Sequence, residues 1–175
     1  AEIFAEDENG TITETKTVQF IISDFEYARD KADLTGGNYD GFINGTLPIG
    51  NVFDIYADAT LHGIKVRIHP ETSPGCMAKA ILNIVDVESG DISFLAETAE
   101  MNVGSMTDDW LNFVFDEPIQ LLAGQVVLPT IQADYNECYL LIASNGNSEP
   151  GETIFQDIDG VYGGEQGEWY STTST

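Results

Sequence analysis

Basic residues are scarce in this chain: 6 Lys and Arg stand against 30 Asp and Glu in 175 residues, a formal net charge of −24. Nucleic-acid phosphates are gripped by a basic footprint, so DNA and RNA are excluded as partners. An anionic membrane surface is disfavoured on the same ground. No stretch approaches 18 consecutive apolar residues, so no membrane-spanning helix is encoded. The only histidines are His62 and His69, the only cysteines Cys76 and Cys138, and no Cys-x-x-Cys pair occurs. A structural zinc site lacks its ligands. Neither G-x-S-x-G nor H-E-x-x-H is present. Thirty acids supply some carboxylate pair by chance, so a hydrolytic domain working through paired carboxylates stands only as a second alternative.

Apolar residues make up 42% of the chain, so the acidic bias is not the composition of a disordered segment. The length fits one domain with a sizeable core. No long amphipathic helix pattern is present. Instead, short apolar segments recur at spacings of about 8 to 15 residues with Gly, Pro, Asn and Asp between them. This pattern predicts an all-β fold: an antiparallel β-sandwich, jelly-roll-like, of about nine to eleven strands. Residues 1–15 read as a polar lead-in or linker with one short strand at most. Residues 16–175 read as a single sandwich domain whose last strand, from Glu168, is cut short by the end of the chain. The first residue is not Met, and the chain reads as a processed or excised piece.

The most regular stretch runs from Thr60 to Phe94. Ile64, Val66 and Ile68 alternate with Lys65, Arg67 and His69, the period of a half-buried strand. Lys79–Val87 is apolar on both faces, as a central or shielded strand is. With Ile92–Leu95 these segments predict a three-stranded meander. His69 is expected on the solvent face beside Lys65 and Arg67, in a basic stripe that either pairs with neighbouring carboxylates or marks an inter-module contact. Cys76 and Cys138 each precede an apolar strand. A disulfide between them and two separate buried thiols are both compatible with that placement.

Further along, Trp110–Phe115 alternates cleanly and puts Leu111, Phe113 and Phe115 on one face. Phe115, Pro118, Leu121 and Gly124 then form an F-x-x-P-x-x-L-x-x-G phrase: strand, Pro stop, a Leu beneath the loop and a Gly turn. With the strands around it, from Gly45 to Tyr170, this phrase resembles the jelly-roll modules of large secreted or surface proteins of Bacteroidota, many exported by the type IX secretion system. The resemblance implies a secreted or cell-surface setting. It carries no catalytic residues. In that family the last strand often continues with an apolar phrase that this chain lacks.

The candidate sites follow from residue chemistry. Calcium takes six to eight oxygens on flexible loops, and Asp30, Asp33 and Asp40 surround a Gly-rich segment that supplies such oxygens. Asp157 and Asp159 beside Gly160 form a second candidate. Sugar-binding sandwiches stack rings on exposed aromatics, and here Trp110, Tyr135, Tyr139, Tyr162 and Trp169 are the candidates, with rim packing as the alternative. The expected role is non-catalytic: adhesion, or structural contact with neighbouring modules of the parent protein or with copies of itself. A carbohydrate-binding module serving an attached secreted hydrolase is the first alternative, with glycans as its partners.

Overall fold

A computed structural model of the chain describes the backbone of residues 2–6 and 12–17. With their side chains it describes residues 27, 48–105, 109–133, 140, 150–158, 160 and 165–171. The described residues contain strands and no helix, and every strand pair is antiparallel. β1 (Glu2–Glu6) pairs with β2 (Ile12–Thr17), so two strands lie in and beside a segment whose composition suggests one at most.

The larger sheet is built on β6 (Met77–Val85) and β10 (Val126–Ala133), aligned over eight residue pairs from Ala78↔Ala133 to Val85↔Val126. On the far side of β10 lie β3 (Ile49–Asn51) and β4 (Phe53–Asp54). β11 (Thr153–Asp157) and β12 (Glu168–Ser171) follow outward from β3. On the far side of β6 lie β7 (Ile92–Glu97) and β8 (Met101–Asn102). A second layer pairs β5 (Ala59–Arg67) with β9 (Trp110–Leu121). Buried Leu111, Phe113 and Ile68 of this ribbon pack with Ala78, Ala80 and Ile131 of the larger sheet. A second cluster joins Phe115 and Leu121 to Leu82, Val127 and Ile55. The fold is an antiparallel β-sandwich, as the alternating pattern predicts.

The expected meander does not form. β6 and β7 make a hairpin, but β5 pairs with β9 in the opposite layer. The Glu71–Gly75 segment therefore does not close a hairpin between β5 and β6. It carries the chain across the thickness of the sandwich, and β5, apolar on one face only, lays that face on the core.

His69 also departs from its expected place. It is buried, because the chain turns inward at Pro70. Its Nδ1 accepts the Glu71 N–H at 3.1 Å, and its carbonyl accepts the Thr72 N–H at 3.1 Å. Pro118, read as a strand stop, sits inside β9. The strand continues to Leu121, but its pairing jumps from Gly63↔Val114 to Leu61↔Ile119, so residues 115–118 face His62 alone. Phe115 and Leu121 are buried on either side of the irregularity, and Gly124 turns with φ +88°.

β10 is interrupted on one flank only. Pro129 has no N–H to give a ladder, and β3 and β4 pair with β10 on either side of it, at Ile131–Thr130 and Val127–Val126. Between them Val52 turns away and donates its N–H to the Glu152 carbonyl at 2.8 Å. This break separates β3 from β4. Gly50 packs directly on Pro129: an added Cβ would collide with the Pro129 carbonyl oxygen and carbon. The strand pair is buried on its outer face as well, where Leu128, Thr130 and Asn83 are all inaccessible. Asn83 Nδ2 donates to the Leu128 carbonyl at 3.1 Å, and Thr130 Oγ1 donates to the Ile81 carbonyl at 3.3 Å, so these buried polar groups are satisfied.

Cys76 is fully buried and disulfide-bonded; Cys138, the only other cysteine, lies outside the described residues. The Cys76 N–H donates to the Ser73 carbonyl, and its own carbonyl accepts the Val103 N–H at 2.7 Å. Non-reducing peptide mapping should recover a Cys76–Cys138 peptide. Cys76→Ser should lower stability by about 2–4 kcal/mol in denaturant melts, the usual worth of a bridge closing a long loop. Gly50→Ala should cost about 1–3 kcal/mol, because backbone rather than a flexible side chain blocks the new methyl group.

Candidate binding surfaces

Among the described residues, two surfaces carry exposed side chains that bear on binding. The first is the outer face of the β5–β9 ribbon. Ile64↔Phe113 and Val66↔Leu111 point into the core, so Gly63↔Val114, Lys65↔Asn112 and Arg67↔Trp110 share the opposite face. Lys65 Nζ sits 5.4 Å from the Trp110 ring centroid, a cation–π contact worth about 0.5–1 kcal/mol at a surface. Lys65 and Arg67 are both engaged in further interactions as well. Of the sequence-predicted aromatics, Trp110 is thus half-buried with an ammonium over its ring. Trp169 is half-buried in β12 opposite Gln156, and its neighbour Tyr170 packs on Phe155 at 5.8 Å between ring centroids. Tyr135, Tyr139 and Tyr162 lie outside the described residues.

The calcium candidates divide in the same way. Asp30, Asp33, Asp40 and Asp159 lie outside the described residues. Asp157 is fully buried at the end of β11, and its carbonyl accepts the Gly167 N–H at 2.6 Å. Among the described residues no three His, Cys, Asp or Glu side chains come together as a metal-binding group.

The second surface is one end of the sandwich, and sequence reasoning missed it. The Asp54–Val126–Val85–Ile92 row of register partners marks where β4, β10, β6 and β7 reach this end. The β9–β10 turn is fastened to the segment after β4. Gly124 N–H donates to the Ile55 carbonyl at 2.7 Å, Ile55 N–H to the Gln125 carbonyl at 2.9 Å, and Ala123 N–H to Asp58 Oδ1 at 2.9 Å. Tyr56 N–H donates to the Tyr27 hydroxyl at 3.2 Å. These bonds hold Tyr56 and Leu122 on adjacent loops, 79% and 56% exposed, with Val87 on the β6–β7 turn 71% exposed. The available signal was parity: Asp54, Tyr56 and Asp58 alternate with buried Ile55, which puts a large aromatic on the solvent side of a strand end.

The β6–β7 turn is organised by Asp86, whose Oδ1 accepts the N–H groups of Glu88 at 2.8 Å and Ser89 at 3.1 Å. Those bonds, that from Ser89 first, hold its carboxyl below the ordinary value of 3.8. A depressed pKa stabilises the fold above the unfolded-state value, and that contribution disappears as pH falls through the folded-state value. Asp86→Ala should therefore melt below the parent at neutral pH. The gap in Tm should persist down to about pH 4 and close in more acidic solution.

Comparisons with protein-family models, curated proteins and solved structures find no match for this chain.

Proposed function

We propose that the chain is a non-catalytic β-sandwich module of a secreted or cell-surface bacterial protein, of the kind carried by Bacteroidota type IX cargo. It acts in adhesion or in structural contact with neighbouring modules or copies of itself. The observation that carries this reading is the buried, disulfide-bonded Cys76 at the corner where the chain crosses between layers. Disulfides of this kind belong to oxidising compartments. The charge of −24 suits a saline exterior, where it keeps the chain soluble. Four of the described interior polar groups serve as fasteners: His69 closes a turn, Asn83 and Thr130 tie the central strands, and the Thr98 hydroxyl accepts the Ala80 N–H at 3.1 Å.

A second reading, glycan binding, draws on the outer ribbon face, where Trp110 stands beside Asn112 and Arg67. Lys65 would have to leave the ring before a sugar stacked on it.

The test is cell fractionation with thiol labelling. Protease added to intact source cells should cleave the protein, or the protein should be in the medium, and its cysteines should resist alkylation until reduced. Recovery from the cytosol with two free thiols would overturn the proposal.

A further inference from the structure

The sandwich is electrically lopsided. Among the residues whose side chains are described, the cations are Lys65, Arg67 and Lys79. Lys65 and Arg67 lie toward the start of β9, and Lys79 pairs with Glu97 at 2.8 Å. The opposite end, where Tyr56, Leu122 and Val87 are exposed, carries Asp54, Asp58, Asp86, Glu88 and Asp91, all exposed. Three of the seven exposed large apolar side chains of the described residues thus lie on the loops of one end, the same loops that carry these carboxylates. The loops that carry Tyr56 and Leu122 are cross-bonded, so these two apolar groups are presented on a fixed base, while the β6–β7 turn that carries Val87 is bonded within itself.

A rigid apolar patch rimmed by charge of one sign suits a partner with apolar anchors and the opposite charge. We infer that this loop end docks a cationic polypeptide segment, with Tyr56 and Leu122 receiving its apolar side chains and the rim carboxylates pairing with its Lys and Arg. The inference rests on the reading of the chain as an interaction module and names the partner chemistry. Tyr56 is the expected anchor, since exposed tyrosines contribute large contact area at low entropic cost and recur as interface hot spots. The summed field of the chain steers such a segment inward and weakens with added salt.

The test titrates the whole 15N-labelled chain with a twelve-residue Lys-rich peptide bearing a central Phe, and with its Glu-for-Lys counterpart. Amide shifts should centre on residues 54–58, 86–91 and 122–125 for the cationic peptide and be absent for the acidic one. Tyr56→Ser should weaken binding about five- to tenfold. Asp54→Asn combined with Glu88→Gln should weaken it about two- to fivefold and flatten its salt dependence. All three sites are exposed, so the melting temperature should hold and a loss of binding cannot be charged to unfolding. No binding, shifts spread over remote carboxylates such as Glu71, Glu100 and Glu168, or an unchanged affinity in Tyr56→Ser would each overturn the inference. If the protein is nonetheless extracellular and oxidised, only the partner assignment falls; a cytosolic protein with free thiols removes the module reading as well.

Discussion

The sandwich depends on the pairing of β6 with β10. Their eight-residue register is the longest uninterrupted ladder in the larger sheet; β3, β4, β7 and β8 pair directly with one of the two, and β11 and β12 follow outward from β3. Their inner face supplies Ala78, Ala80, Leu82, Val127 and Ile131 to the core that receives the β5–β9 ribbon. Small residues at 78 and 80 let the bulky Phe113 and Ile68 of the ribbon approach closely, the complementarity that dense packing requires. Burial on the outer face, at Leu128 and Thr130, removes the alternation that would otherwise fix which way the pair faces. Hydrogen bonds from Asn83 and Thr130 supply a directional constraint in its place.

The irregularities lie on the flanks of this pair, where they limit how the sheet can grow. Pro129 and Gly50 break the β10 flank into β3 and β4, and the β6 flank divides into β7 and β8 at Thr98. The Thr98 N–H donates to the Ala80 carbonyl at 2.9 Å while its hydroxyl takes the Ala80 N–H, so the gap costs no unpaired backbone group there. β7 carries a bulge at Leu95, since Ala96 and Phe94 pair with consecutive residues of β6. β9 is kinked around Pro118. A strand added along either would meet a distorted ladder, a familiar protection of sheet edges.

Much of this was legible, for physical reasons that differ by element. The alternation of Leu111, Phe113 and Phe115 was readable because β9 is half-buried, and period two then records the two environments directly. The doubly apolar Lys79–Val87 segment was readable as central for the converse reason. Partner choice was not. β5 and β6 are adjacent in sequence and both strand-like, and nothing local distinguishes a hairpin between them from a crossing to another layer. His69 was misread because periodicity was extended past Arg67, although Pro70 ends the strand and reorients the chain. Of the candidate sites, parity placed Trp110 correctly on the outer face but could not reveal Lys65 over its ring, a contact set by cross-strand register. Tyr56 sits at the solvent parity beside buried Ile55, a position that reads as plain surface although an aromatic there is the exception that carries information.

The acidity of the chain has a structural consequence beyond solubility. Thirty carboxylates in one chain repel one another, and self-repulsion of this size destabilises a compact state. Among the described residues it is offset locally, by hydrogen bonds within turns as well as by the Lys79–Glu97 pair. Asp86 is held by backbone N–H groups of its own turn, Asp58 by the N–H of Ala123, and Asp109 by the N–H of Trp110. Backbone donors at turns neutralise a carboxylate's demand for hydrogen bonds without adding positive charge. The acids are thereby made part of the turn geometry, while the net field of the molecule stays strongly negative. Among the residues with described side chains, the three cations lie on the β5–β9 ribbon and on β6, away from the loop end where Asp54, Asp58, Asp86, Glu88 and Asp91 are exposed. The polarity between these two regions follows from that placement.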